Sequence, residues 1–180
     1  MSGVRDGQVE RLALLYERHR SPLLNFFVRL TGDPQAAEDL VHDVFLRMLK
    51  YRRTFRDGHR FQTWMYQIAR NTHFDFRHKR RLERPADEQS LADSENVVSS
   101  DPAPDFAASR GQEIATLEKA LAALPAQQRE LLVFSGVQRL KYEEIARILD
   151  CGVGAVKMRV HRALVELREK FRELAGEEIP

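Results

Sequence analysis

A chain of 180 residues with a hydrophobic fraction of 43% is long enough for one domain or two small ones and too apolar to be disordered throughout. Its 29 Lys and Arg residues nearly balance 27 Asp and Glu residues, which leaves a formal net charge of only +2. The charges are unevenly distributed, because residues 51–84 and 157–172 are basic whereas residues 85–113 are acidic. Since a local field attracts a polyanion even when the total charge is small, the two basic segments favour nucleic-acid binding.

Several classes of protein are disfavoured at the outset. The single cysteine, Cys151, cannot form an internal disulfide or, by itself, a structural zinc site. No apolar run approaches the ~20 residues that a membrane helix needs, and the first residues lack the apolar stretch of a signal peptide. We therefore expect a soluble, cytoplasmic protein that needs no metal or cofactor.

The first half of the chain shows helical periodicity. A broad apolar stripe predicts a helix over residues 9–31, which Pro22 either kinks or divides in two. Asp33 is a good N-cap and Pro34 suits the first helical position, so a second helix is predicted from Pro34 to Lys50. On its side opposite the apolar residues lie Asp39, Asp43 and Leu46. An outward Leu between acidic turns indicates docking against another protein, although single exposed leucines are also common.

A third helix is predicted over residues 61–81, after a loop. Phe61, Met65, Ile68 and Thr72 face inward in this interpretation, and the outward side presents a mixture of cations and aromatic rings, namely Tyr66, Arg70, His73, Phe74, Arg77 and Arg81. Cations suit the phosphates of a single strand, and rings suit its unpaired bases. The alternative is a solvated basic face whose aromatic residues pack on neighbouring elements.

The middle of the chain has a different composition. Residues 84–111 are rich in Ser, Ala, Asp and Pro and cannot bury enough surface to offset their ordering entropy. We predict a flexible acidic linker there, between a first domain of residues 1–83 and a second of residues 112–176. Since no segment shows sustained alternation, the fold class is all-α, with two small helical domains.

The second domain carries the most specific pattern. Short helices are predicted up to Leu124, from Ala126 to about Ser135, and over residues 142–149. A turn of about three residues then leads into a long helix over residues 153–174, and two helices joined so tightly cross steeply, as in a helix-turn-helix. The last helix is predicted to bury Val156, Val160, Ala163, Leu164 and Leu167. Its other side presents small residues first and cations one turn later, which suits a major groove. An ordinary helical hairpin is the alternative.

The assembled pattern resembles the extracytoplasmic-function (ECF) group of sigma-70 sigma factors of bacterial RNA polymerase. The segments LYERHRSPLLNFFVRLTGDPQAAEDLVHDVFLRML and FQTWMYQIARNTHFDFRHKRR resemble their region 2. The segment LAALPAQQRELLVFSGVQRLKYEEIARILDCGVGAVKMRVHRALVELREKF resembles region 4. The region 4 segment departs from typical members at Asp150, Gly152, Ala155 and Met158, where Gly, Ser, Thr and often Ser are usual. Its base preference is therefore in question.

The resemblance implies three binding surfaces and no catalytic residues. Core polymerase, through its clamp helices, would bind Glu38, Asp39, His42, Asp43, Leu46 and Arg47. The melted minus-ten element would bind Arg56, Arg60, Tyr66, Arg70, Asn71, His73, Phe74, Arg77 and Arg81. The minus-thirty-five duplex would bind Gly154, Ala155, Lys157, Met158, Arg159, His161 and Arg162, in a module that also touches the polymerase flap. An anti-sigma factor is a further implied partner, and membrane insertion and a small-molecule substrate are not expected.

Two other functions remain as alternatives to a sigma factor. A free-standing helix-turn-helix regulator would bind a duplex operator without polymerase, but it would have little use for the aromatic residues on the third helix. An enzyme is less consistent with the sequence, because no Gly-rich phosphate loop or nucleophile motif appears. Glu38 and His42 share a helix face, but a metal site would need more ligands.

Overall fold

The computed structural model describes residues 10–56, 58, 60–83 and 107–176, and all of its regular elements are helical. The first three α-helices are α1 (Arg11–Thr31), α2 (Pro34–Lys50) and α3 (Phe61–Glu83), with a 3-10 turn at Arg52–Thr54. The remaining four are α4 (Ala107–Ala123), α5 (Ala126–Leu132), α6 (Tyr142–Ile148) and α7 (Val153–Ala175), and a π-helical turn at Val133–Val137 follows α5. The predicted all-α class is confirmed. None of the described helices is long and apolar enough to cross a membrane.

The boundary between α1 and α2 follows directly from local chemistry. Gly32 closes α1 with a φ of 68°, a left-handed conformation that costs glycine little. The Asp33 carboxylate then accepts hydrogen bonds from the backbone N–H groups of Gln35 and Ala36, at 3.0 and 3.1 Å. Pro34 occupies the first turn of α2, where its missing N–H has no intrahelical partner to lose. Pro22, by contrast, lies within a continuous α1.

The turn between α6 and α7 is equally compact. Asp150 has a φ of 50°, a left-handed conformation that Asp tolerates better than most residues. The N–H of Cys151 donates to the Ala146 carbonyl at 2.9 Å, which ties the turn back to α6. Gly152 forms the N-cap of α7 without a side-chain hydrogen bond. The short connection between the two helices of the predicted helix-turn-helix is therefore confirmed.

The predicted domain boundaries stay a prediction, but helices are described on both sides of the predicted linker. Residues 84–106 of the predicted linker lie outside the described residues. The helix α4 begins at Ala107, so the last five residues of the predicted linker, 107–111, are helical. Two adjacent alanines at its start are strong helix formers.

The helices α1–α3 form one module and α4–α7 form a second, and the two pack against each other around a contiguous apolar core. Phe134 of the second module is fully buried and stacks on Phe26 of the first, with ring centroids 5.1 Å apart. The Tyr66 ring meets both rings edge-on, at 5.4 Å from Phe26 and 5.8 Å from Phe134. Aromatic pairs in these arrangements stabilise a fold beyond the area they bury. The two modules are thus joined by a packed interface, in addition to the chain that connects them.

Candidate nucleic-acid interface

The helix α3 carries the cations and rings predicted to bind a single strand, and the structure divides them between two stripes. Tyr66, Arg70 and His73 lie at spacings of four and three residues on the stripe that faces the second module. Tyr66 is only 2% exposed and His73 only 5%. The expectation that these two residues face outward is wrong. A mixed stripe of rings and cations can pack against a second polar surface, and the sequence pattern does not distinguish this from exposure to solvent.

The polar groups on this buried stripe are bonded to groups of the second module. The Tyr66 hydroxyl donates to the Gln138 side-chain carbonyl, and the Arg70 guanidinium donates to the Glu130 carboxylate at 3.3 Å. Just before α3, Arg60 donates to the Glu144 carboxylate at 3.0 Å. Three of the predicted strand-binding residues are therefore occupied by partners within the chain.

Burial changes the acid–base chemistry of this interface. Desolvation, with the positive charges of Arg77 and Arg129 as further causes, lowers the pKa of His73 to about 4. Desolvation raises the pKa of the Tyr66 hydroxyl, so the phenol remains a hydrogen-bond donor. Desolvation also raises the pKa of Glu130, although the nearby Arg70 opposes that shift. For Glu144, hydrogen bonds from the Lys141 N–H and from Arg60 outweigh desolvation and lower the pKa.

The second stripe of α3 is open to solvent. Asn71, Phe74, Arg77 and Arg81 are exposed on it, and the Phe74 ring stacks on His78 with centroids 6.5 Å apart. Beside this stripe a cleft of about 330 Å³ lies between α2 and α3; it is lined by Arg47, Tyr51, Ile68, Asn71, Phe74 and Asp75. Tyr51, the C-cap residue of α2, is an exposed ring that lines the cleft from the other side. Arg56, in the loop before α3, is also exposed.

The side of α2 predicted to dock on another protein is largely exposed. Glu38, Asp39, His42 and Leu46 are all exposed, and Leu46 reaches 64%. Glu38 is 3.5 Å from Arg20 of α1, in a surface ion pair. Arg47 differs from the others, because it donates to Asp43 at 3.1 Å and to Asp75 of α3 at 2.6 Å. Burial alone would lower the pKa of Arg47, but the two carboxylates outweigh that effect and raise it. Arg47 is therefore a cationic link between α2 and α3.

The helix α7 presents its predicted groove-reading side to solvent. The exposed residues are Gly154, Lys157, Met158, Arg159, His161 and Arg162, and Ala155 is half-buried. A side chain added at Gly154 would meet no atom within 4 Å, so the N-terminal end of the helix is unobstructed. Val156, Val160 and Ala163 are buried as predicted. Leu164 was also predicted to be buried, but it is 51% exposed, because one residue beyond Ala163 the helix has turned by a further 100° toward solvent.

Comparison with known proteins decides the family. The sigma-70 region 2 model matches residues 15–83, and the sigma-70 region 4 model matches residues 114–167. The chain is 31% identical to RNA polymerase sigma factor CarQ of Myxococcus xanthus over 98% of its own length and 96% of that relative. It is 35% identical to the ECF RNA polymerase sigma factor EcfG of Rhodopseudomonas palustris, over 79% of this chain and 75% of the relative.

The chain is an ECF sigma factor of the sigma-70 family. Proteins of this family direct core RNA polymerase to promoters for transcription initiation, which sets aside the free-standing regulator. The fold agrees with a solved structure of the sigma factor RpoE in complex with the anti-sigma factor NepR from Bartonella quintana. That match has a TM-score of 0.64 and 27% identity, and it covers 94% of this chain and 97% of the other. The first module is thus region 2 and the second module is region 4.

Proposed function

We propose that this ECF sigma factor captures the melted minus-ten strand on the open stripe of α3 and its adjoining cleft. The observation that carries the proposal is the pair of exposed rings, Tyr51 and Phe74, that line one cleft together with Asn71. Stacking an unpaired base on an aromatic ring contributes roughly 1–3 kcal/mol per base. Arg77 and Arg81, farther along the same helix, supply the charge that a strand's phosphates require.

The minus-thirty-five duplex is assigned to α7. Small residues at its unobstructed N-terminal end allow close approach to a major groove, and Arg162 and His161 follow two turns later. Arginine makes the commonest specific base contact, as a bidentate donor to guanine. Lys157 and Arg159 flank this side and suit the phosphates. Ala155 and Met158 stand where hydroxyl-bearing residues are usual in the family. The base preference of this protein near these positions therefore depends on other contacts.

The exposed side of α2 is assigned to core polymerase, and the energetics explain why such a partner is needed. Separating one base-pair step costs on average ~1.4 kcal/mol, whereas one or two stacked bases return only a few kcal/mol. A bubble on the order of ten base pairs therefore exceeds what this chain can hold open by itself. Polymerase would supply the remaining contacts, and the sigma factor would act as its specificity subunit without catalytic chemistry of its own.

The test is co-purification with core polymerase followed by run-off transcription on a promoter library. Asp39→Arg is the informative variant, because Asp39 is exposed on α2 and free of the Arg47 bridge that binds Asp43. It should weaken co-purification strongly, since a reversed charge on a docking surface costs several kcal/mol. The matched control, Glu169→Arg, makes the same charge change on the exposed side of α7. If Asp39→Arg co-purifies as well as the control, α2 is not the docking helix.

An anti-sigma partner and a cytoplasmic location belong to the same proposal. The structural relative from Bartonella quintana was solved with the anti-sigma factor NepR bound, and an equivalent protein would hold this sigma factor until a signal releases it. Affinity purification from the source bacterium should recover such a protein with the chain at one-to-one stoichiometry. Recovery of core polymerase alone under both resting and stressed growth would contradict this part of the proposal.

A further inference from the structure

The arginines at the interface between the modules are paired with carboxylates in a way that bears on DNA binding. Arg60 and Arg70 come from the first module, and both are among the residues expected to hold the melted strand. Their partners, Glu144 and Glu130, both come from the second module. A carboxylate accepts the same charge-assisted hydrogen bonds from a guanidinium as a phosphate does. The second module therefore places two anions where a strand would place its phosphates.

These pairs differ from ordinary surface ion pairs. The side chain of Glu144 is 6% exposed and that of Glu130 is 12% exposed, whereas those of Arg60 and Arg70 remain accessible at 60% and 39%. Each carboxylate is thus buried where the two modules meet and offers its oxygens to a more exposed cation of the first module. The arginines keep the freedom to turn toward a different anion when the carboxylates withdraw.

Hydrogen bonds outside the two ion pairs also hold the interface closed. Gln138 accepts the Tyr66 hydroxyl and donates to the Pro22 carbonyl at 3.1 Å, so one side chain of the second module bonds to two helices of the first. Arg129 donates to the Leu30 carbonyl at 3.2 Å. With the stacked Phe26 and Phe134 rings behind them, these contacts leave the Tyr66 ring too little exposed surface for a base to stack on.

We propose that the chain rests in a closed state in which Glu130 and Glu144 act as internal substitutes for promoter phosphates. The open stripe of α3 is accessible in this state, but engagement of the melted strand by Arg60, Arg70 and Tyr66 as well requires the two modules to separate. Arg60 and Arg70 exchange carboxylate for phosphate in that step, and Tyr66 becomes available to a base. The closed state stands on the contacts alone, whereas its role in masking the strand-binding face rests on the proposed function.

The test measures the distance between the modules in the full-length chain by pulsed electron spin resonance. Nitroxide labels are placed at the exposed positions Gln35 and Gln127, each changed to Cys in a Cys151→Ser background. Glu130→Lys sets an ammonium beside Arg70, so the ratio of open to closed molecules should rise about tenfold. The added change Arg70→Glu restores an opposite-charge pair and should return the distance distribution to that of the unaltered interface.

Two controls separate opening from charge and from misfolding. Glu173→Lys makes the same charge change beside Lys170 on α7 and should leave the distance distribution unchanged. Gln138→Ala removes two bonds between the modules without changing charge and should raise the open fraction severalfold. Gln138→Ala also tests the closed state by itself if Glu130→Lys fails to fold, which far-ultraviolet circular dichroism would reveal.

The second measurement is the affinity of each variant for a fluorescent single-stranded DNA 20-mer of random sequence. Because a masked site binds with an apparent affinity reduced by its open fraction, Glu130→Lys should bind up to tenfold more tightly than Glu173→Lys. An unchanged distance distribution in both Glu130→Lys and Gln138→Ala would overturn the closed state. Opening without tighter binding would overturn the masking. Opening and tighter binding without run-off transcription on core polymerase would refute the proposed function and support the closed state.

Discussion

Protonation of His73 should destabilise the folded protein in a defined pH window. His73 is buried on α3, and desolvation together with Arg77 and Arg129 lowers its pKa to about 4, against about 6.5 in an unfolded chain. Between these values the unfolded state binds more protons than the folded state, so stability rises with pH. The contribution of neutral His73 is therefore complete above about pH 6.5 and is lost as the pH falls toward 4.

The size of this loss follows from the two pKa values. Each pH unit in which only the unfolded histidine is protonated costs about 1.4 kcal/mol, so the loss reaches about 3 kcal/mol at pH 4. A domain whose free energy of unfolding is typically about 5–15 kcal/mol would lose a large part of its stability in this way. Exchange for glutamine, which has no proton to gain, should remove this part of the pH dependence.

The assay is urea unfolding at pH 7.5, 6.0, 5.0 and 4.0, followed by circular dichroism. For each protein, the decrease in the free energy of unfolding between pH 7.5 and pH 4 is measured. This decrease should be about 3 kcal/mol smaller for His73→Gln than for the unchanged protein. His78→Gln is the control, because His78 is exposed on the same helix and should leave the profile unaltered. Parallel profiles for the unchanged protein and His73→Gln would refute the reasoning.

Three further outcomes are expected. Phe134→Ala should lower the free energy of unfolding by about 3–5 kcal/mol in urea, since the ring is fully buried between the modules; a loss below about 1 kcal/mol would mean that the rings do not pack in solution. Asp33→Ala should cost about 1 kcal/mol by removing the N-cap of α2, whereas exposed Asp39→Ala should stay within about 0.5 kcal/mol; equal losses would contradict the cap. Arg162→Ala should weaken cognate promoter use by about 1–3 kcal/mol in run-off transcription, and unchanged transcription would remove its assignment to a base.

Local chemistry made much of the fold predictable from the sequence. The bounds of α2 follow from an Asp N-cap, a proline in the first turn and an apolar stripe that runs to Leu49, next to the last helical residue. The helix-turn-helix follows from an interval too short to allow anything but a steep crossing. In both cases the determining interactions lie within a few residues of each other, so a sequence pattern contains them.

The contacts between the modules could not be predicted in the same way. Glu130 lies beside apolar residues of a short helix, and Gln138 directly follows a short helical turn. At both positions a polar side chain is equally consistent with exposure and with a distant partner. Their partners Arg70 and Tyr66 are 60 and 72 residues away along the chain. Periodicity states which side of a helix is apolar, but it does not state which polar side will meet another module. The errors at Tyr66 and His73 have this origin.

The stacked phenylalanines have a consequence for the life of the molecule outside its complexes. Phe26 and Phe134 have no exposed surface, and each ring brought into water costs roughly 1.5–3 kcal/mol. A molecule whose two modules have separated therefore exposes an apolar surface that favours self-association. Separation of the modules carries the smallest risk of self-association when another protein surface covers the exposed rings at once. This would couple the separation to arrival at the transcription machinery.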